Sequence, residues 1–224
     1  MSLHPGPQNA VTPPPRLIET LRVEPGGTLP LLEGHLTRLQ ASCAALGYPA
    51  PDIAALREQL TQRAAQLDTA RAWRLRLLAG HDGSHTLEHS PLATPGDPLP
   101  VVLRGPRDGG AAFWLRHKTT HRPWYEDAAR WLAGHPTVFD ILYWNEDGMM
   151  CEGSRSNLYM LASDNRWLTP PLSSGALPGV QRQALLQAGL AHEAPISRDA
   201  FLQARAWRIS NALRGWRDVI PAAG

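Results

Sequence analysis

The chain is predicted to be a mixed α+β protein built from two layers of strands and helices, not a doubly wound parallel sheet. Three observations lead there. Strand-like and helix-like patterns are intermixed without strict strand–helix–strand alternation. The 224 residues are enough for one large domain or two modest ones with buried cores. A breaker-rich segment, Gly105-Pro-Arg-Asp-Gly-Gly110, falls between two strand-like runs near the middle. A junction placed there gives a tail over 1–15, a small N-terminal domain over 16–106 and a larger C-terminal domain over 107–224.

The elements follow in order. Residues 1–15 are rich in Pro and polar residues, lack the basic and apolar regions of a secretory signal, and are expected to fray. Arg16 to Val23 alternates and reads as a strand, closed by Pro25-Gly-Gly27. Helices are expected over Glu33–Leu46, with Leu36, Leu39, Cys43 and Leu46 on one face, and over Asp52–Leu67, with Asp52 as N-cap. Arg71 to Leu78 alternates apolar with basic residues, as a strand packed on one face does, and weaker strands are expected over 84–89 and 99–104. In the second half the pattern predicts a strand over Phe113–Lys118, a helix over Pro123–Ala133 and a strand over Val138–Tyr143. A turn at Asn145-Glu-Asp-Gly148 leads into Met149–Glu152, followed by a strand over Asn157–Ala162. A helix over Gly179–Leu190, a last helix capped by Ser197 and a strand over Trp207–Ser210 complete the reading.

Composition excludes several classes of function. Hydrophobic residues make up 43% and charged residues 19%, as in ordinary globular proteins. No apolar run approaches the roughly 20 residues that span a bilayer, so no membrane partner is expected. A net charge of +2 gives no nucleic-acid footprint. Two cysteines, Cys43 and Cys151, make no disulfide framework, which suits a reducing cytoplasm. His81, His85 and His89 have a spacing that would gather a metal on a helix, but Gly83 and the strand-like context place them on a loop or strand. No metal site is expected.

The 22 basic residues are 21 arginines and one lysine, Lys118. Codon bias in a GC-rich genome explains the missing lysines, since either lysine or arginine can be solvated at the surface. The same bias makes the survivor conspicuous, because lysine can lose its proton and act as an amine nucleophile, and arginine cannot. Arg116 and Arg122 stand nearby to lower its pKa. On local residues alone, Lys118 reads equally as a reactive amine or as a surface lysine beside a basic loop.

Three other places carry chemistry only in combination. Glu152 is an acid among small and polar residues just before an apolar strand. Leu177-Pro-Gly179 opens a helix whose first-turn amides suit a phosphate. Ser210-Asn-Ala212 ends the late strand and could close on the same anion.

Taken in chain order, these pieces resemble the fold-type IV, class IV aminotransferase-like enzymes that use pyridoxal phosphate (PLP). The likeness covers nearly everything after residue 16. It rests on Ile18-Glu-Thr-Leu-Arg22, His35-Leu-Thr-Arg-Leu39, His117-Lys-Thr-Thr-His-Arg122 with Tyr125, Asn145, Gly148, Glu152 and Asn157, Thr169-Pro-Pro-Leu172, Leu177-Pro-Gly179 and Ser210-Asn-Ala-Leu-Arg-Gly215. The resemblance implies Lys118 as the Schiff-base lysine, Glu152 as the partner of the pyridine nitrogen, and Arg38 as a phosphate ligand. It also implies phosphate contacts from the amides of Val180 and Gln181, with Asn157 and Asn211 at the cofactor. The implied fold has a small α/β domain and a larger barrel-like domain with the cofactor between them, usually in a homodimer.

Within that family the likeness is greatest to the aminodeoxychorismate lyases, through Lys-Thr-Thr-x-Arg-x-x-Tyr and Ser-Asn-x-Leu-Arg-Gly. They take 4-amino-4-deoxychorismate to 4-aminobenzoate and pyruvate on the route to folate, and an aminodeoxychorismate synthase component is an implied partner. The alternative within the family is a transaminase acting on branched-chain or D-amino acids. A substrate with two carboxylates calls for basic groups, and Arg22, Arg122 and Arg214 are the candidates. The sequence departs from the family pattern in its short Pro-rich start, in Cys151 where threonine is usual, and in Gln181.

Overall fold

The computed structural model describes residues 14–222 apart from 95, 108 and 110. The expected fraying of residues 1–13, and two residues of the Gly105–Gly110 breaker, lie outside the described residues.

The N-terminal layer begins with strand β1 (Leu17–Val23), whose alternate residues Leu17, Glu19, Leu21 and Val23 are buried. Three of these are the apolar face that the alternation predicts. Glu19 shares that face and brings a carboxylate into it. Helix α1 (Leu32–Leu46) ends where Gly47 turns left-handed at φ 67°, a conformation that favours glycine. Helix α2 (Ile53–Ala65) starts at Asp52, whose side chain accepts from the Ala55 N–H at 2.9 Å. Strands β2 (Trp73–Ala79) and β3 (His85–Pro91) complete an antiparallel sheet of order β1-β2-β3. Leu21 and Leu75 face each other in register and pack with Leu36, Leu39, Leu56 and Leu60 of the two helices. Each leucine so buried contributes about 1.5–3 kcal/mol relative to exposure. His85 and His89 lie on strand β3, and among the described residues no cluster of His, Cys, Asp or Glu is arranged to hold a metal.

Strand β4 (Leu99–Leu103) was expected before the junction, but it pairs parallel with both β5 (Asp140–Trp144) and β11 (Gly215–Pro221) in the larger sheet. The passage from one sheet to the other therefore falls between Pro91 and Leu99, ahead of Gly105. The expected strand over Phe113–Lys118 is instead a single helical turn, α3 (Ala112–Leu115). Its apolar run does not alternate with polar residues. Leu115 turns inward, Phe113 stays exposed, and the Leu115 N–H reaches Ala111 O. The chain then crosses β1: Ile18 N–H donates to Lys118 O at 2.8 Å, and Thr120 N–H to Arg16 O at 2.9 Å.

A 3-10 turn at Pro123–Tyr125 leads into α4 (Glu126–Gly134). Strand β5 is followed by β6 (Met150–Gly153), β7 (Asn157–Leu161), β8 (Trp167–Thr169), α5 (Val180–Gln187), β9 (His192–Glu193), α6 (Arg198–Gln203) and β10 (Trp207–Asn211). The eight strands form one curled half-barrel of order β6-β5-β4-β11-β10-β7-β8-β9. Strand β5 is covered on both faces: Ile141 and Tyr143 pack with Ala128 and Leu132 of α4, and Leu142 with Leu99, Met150 and Ile209. No helix among the described residues is long and apolar enough to cross a membrane.

Candidate active site

Where β1, α1, the 117–120 crossing and the β6–β7 turn meet, a cavity of about 220 Å³ opens. Lys118, Arg38, Arg122, Glu152, Asn157, Val180, Asn211 and Arg214 all line it, so most of the residues singled out in the sequence converge. Arg22 and Gln181 do not. They line an adjoining cavity of about 500 Å³ that shares His35, Ala212 and Arg214 with the first.

Lys118 presents its amine to this cavity from a backbone fixed to β1. Burial, reinforced by the charges of Arg122 and Arg38, lowers its pKa to about 7, against the opposing pull of Glu19 and Glu152. Arg38 takes the part expected of Arg116, which is exposed.

Arg38 is itself held by a carboxylate that sequence reasoning gave no role. Glu19 accepts from Arg38 Nε at 2.9 Å and Nη2 at 2.6 Å, and shares a 2.6 Å hydrogen bond with His35 Nδ1. Burial alone would raise the Glu19 pKa, but the Arg38 charge and the hydrogen bonds from His35 and Arg38 bring it down to about 2. Burial lowers the His35 pKa, which favours the neutral ring. The signal for Glu19 lay in its position on the apolar face of an alternating strand, where an acid must be paired.

Glu152 is buried, and each of its oxygens has a donor. Tyr125 Oη donates to Oε1 at 2.8 Å and the Leu177 N–H to Oε2 at 2.8 Å. Burial raises its pKa, opposed by Arg122, the Leu177 amide, Tyr125 and Arg107. Arg107, also missed in the sequence, is buried behind this pair and donates to Tyr125 Oη at 3.1 Å and Gly175 O at 2.9 Å. Neighbouring Cys151 is an inert filler, its thiol pushed up to about 11 by burial.

Two residues beyond the Leu177 amide, Gly179 precedes α5, and a side chain there would meet Asn157 Oδ1 at 2.0 Å. Asn157 Nδ2 in turn donates to Leu177 O at 2.9 Å. The first-turn amides of α5 thus start from a backbone seated against Asn157. Asn211 lines the cavity, and its side chain ties two loops together. Its Nδ2 donates to Arg155 O at 3.2 Å, and its Oδ1 accepts from the N–H groups of Leu213 and Arg214. Arg22 is bound to Glu24 at 2.8 Å and to Leu213 O at 2.9 Å, which makes it a brace for that loop.

A three-stranded sheet set against a curled eight-stranded half-barrel is the architecture of the fold-type IV PLP-dependent enzymes. The chain belongs to the class IV aminotransferase family, whose pattern matches residues 16–220. A Schizosaccharomyces pombe protein named "Putative aminodeoxychorismate lyase" is 32% identical over 170 residues, 75% of this chain and 72% of that protein. A Mesorhizobium loti crystal structure of a "Putative amino-acid aminotransferase" is 33% identical with a TM-score of 0.83, covering 93% of this chain and 100% of the other. A PLP-bound "hypothetical aminotransferase" from Mycobacterium tuberculosis, 23% identical with a TM-score of 0.76, shares the fold over 97% of this chain and 86% of its own. The family uses PLP. The residues present fit that group: an amine whose pKa lies near neutrality, a buried carboxylate, an arginine and a helix N-terminus face one cavity.

Proposed function

We propose that this enzyme is a PLP-dependent lyase that divides 4-amino-4-deoxychorismate into 4-aminobenzoate and pyruvate. The observation that carries the reading is the charge of the cavity wall, where Arg122, Arg155 and Arg214 stand against one glutamate, Glu152, while the fourth arginine, Arg38, is answered by Glu19. A substrate with two carboxylates matches such a wall, and guanidinium groups bind planar anions in bidentate fashion. The likeness to the S. pombe protein points the same way.

Lys118 would hold the cofactor covalently, Glu152 would stand against its pyridine nitrogen, and Arg38 with the Val180 and Gln181 amides would hold its phosphate. Bound there, PLP supplies an electron-poor ring that takes up charge left on a carbon beside the substrate amine. The free amine of Lys118 would remove the proton from the ring carbon that bears the substrate amine. The enolpyruvyl C–O bond then breaks, the ring becomes aromatic, and the enolpyruvate takes up a proton to become pyruvate. One proton leaves and one returns, so no oxidant or second substrate is required. Glu19 keeps Arg38 in place, and Tyr125 with the Leu177 amide opposes the protonation of Glu152 that burial favours.

The rival is a transaminase of the same family acting on branched-chain or D-amino acids, which the full-length likeness to the M. loti protein favours. Aminodeoxychorismate supplied without any keto acid separates the two. Formation of 4-aminobenzoate and pyruvate in equal amounts supports the lyase. Its absence, with amino groups passing instead from an amino acid to 2-oxoglutarate, overturns it.

A further inference from the structure

Two of the cavity's arginines are held in place by their backbones, yet neither guanidinium forms a salt bridge among the described residues. Arg155 sits in Gly153-Ser-Arg-Ser-Asn157, the tight connection between β6 and β7. Its N–H donates to Asp140 Oδ2 at 3.3 Å and its carbonyl accepts from Asn211 Nδ2 at 3.2 Å. Asp140 is fully buried, and its carboxylate also accepts from Ser154 Oγ at 2.6 Å, Ser156 Oγ at 2.5 Å and the Ile141 N–H at 2.8 Å. That carboxylate is occupied by the turn itself. The exposed Arg155 guanidinium lies 5.8 Å from the Phe139 ring centroid and feels the Asp140 charge only beyond salt-bridge distance, so it makes no salt bridge among the described residues.

Arg214 approaches from the other loop. Its N–H donates to Asn211 Oδ1 at 2.9 Å and its guanidinium donates to Ala93 O, again with no carboxylate partner among the described residues. The same asparagine therefore fixes both backbones, one through each end of its amide. Arg22 and Arg217 stand nearby, but they are answered by Glu24 at 2.8 Å and Asp97 at 3.2 Å. Burial, together with the charges of Arg22, Arg217 and Arg155, lowers the Arg214 pKa, as expected where positive charges gather without an anion.

We infer that Arg155 and Arg214, stapled together by Asn211, form a carboxylate-binding pair on the cavity wall that selects amines carrying a second carboxylate. The inference deepens the proposed site and adds Arg155, which no motif marked. Two guanidinium forks on one planar anion would supply both charge and direction.

The test uses the PLP-loaded enzyme and two inert probes, benzoate and isophthalate, measured by titration calorimetry. Charge-assisted hydrogen bonds of this kind give a preference for the dicarboxylate of roughly 10–100-fold in the wild type. Arg155→Gln and Arg214→Gln should each bring the two affinities together while the cofactor's visible band stays unchanged. Equal binding of the two probes by the wild type, or a preference that survives in both variants, overturns the inference. The outcome is independent of the lyase reading, since an enzyme that transaminates and makes no aminobenzoate would still show the preference.

Discussion

Tyr125 Oη donates a 2.8 Å hydrogen bond to Glu152 Oε1 inside a pocket where both side chains are buried. Burial favours the protonated form of Glu152, and this donor is one of the groups that oppose it. Tyr125→Phe should therefore keep the fold and the cofactor but make Glu152 protonate at higher pH. Loss of a hydrogen bond to a charged acceptor predicts a fall in kcat of roughly 10–100-fold near neutrality. Steady-state kinetics across the neutral range, beside circular dichroism to confirm the fold, checks this, and an unchanged pH profile counts against it.

Glu19 makes folding sensitive to acid. Its pKa is lowered from 4.5 to about 2 in the folded state. A depressed carboxylate stabilises the fold above its unfolded pKa, and that contribution disappears as pH falls from 4.5 towards 2. The amount is on the order of 3 kcal/mol. Glu19→Gln should unfold more easily at neutral pH and lack this acid-dependent slope, which urea melts at a series of pH values would show.

Lys118 weakens the fold it serves. Its pKa drops from 10.5 to about 7, so the folded state disfavours the ammonium. Stability is therefore greatest above 10.5, declines as pH falls from 10.5 to about 7, and stays lowered below that. The cofactor-free Lys118→Met variant should melt at a higher temperature than the cofactor-free wild type at pH near 7, with the gap closing as pH rises towards 10.5. Equal melting temperatures at neutral pH would show that the amine is not held in a desolvated place.

Gly179 is required for space, since its φ of −66° suits any residue. Gly179→Ala would place a Cβ 2.0 Å from Asn157 Oδ1, displacing the side chain that supports Leu177. Overpacking of this kind costs about 1–3 kcal/mol, so the affinity for PLP should fall roughly 10–100-fold. An absorbance titration with PLP checks this, and an affinity equal to that of the wild type counts against it.

Much of this was legible in the sequence because local chemistry agreed with the fold. Alternation marked β1 and β2, the Asp52 and Ser197 caps hold as read, and the lone lysine stood out against 21 arginines. What escaped depended on partners distant in the chain. Strand β11 mixes Trp216, Arg217 and Asp218 and shows no clear period, yet it pairs with β4 more than a hundred residues earlier. The run at 113–118 carried strand-forming residues but no alternation, and a helical turn prevailed. Arg107, Asp140 and Arg155 looked like ordinary charges, because only burial and the closing of loops give them their neighbours.

The most direct measurement is to reduce the PLP-loaded protein with borohydride and map the modified peptide by mass spectrometry, with Lys118→Arg treated in parallel. The expected result is a yellow protein carrying its label on Lys118, and a folded, colourless variant without chemistry. A wild type that stays colourless with PLP, or a label found on any other amine, would contradict the placing of the cofactor on Lys118.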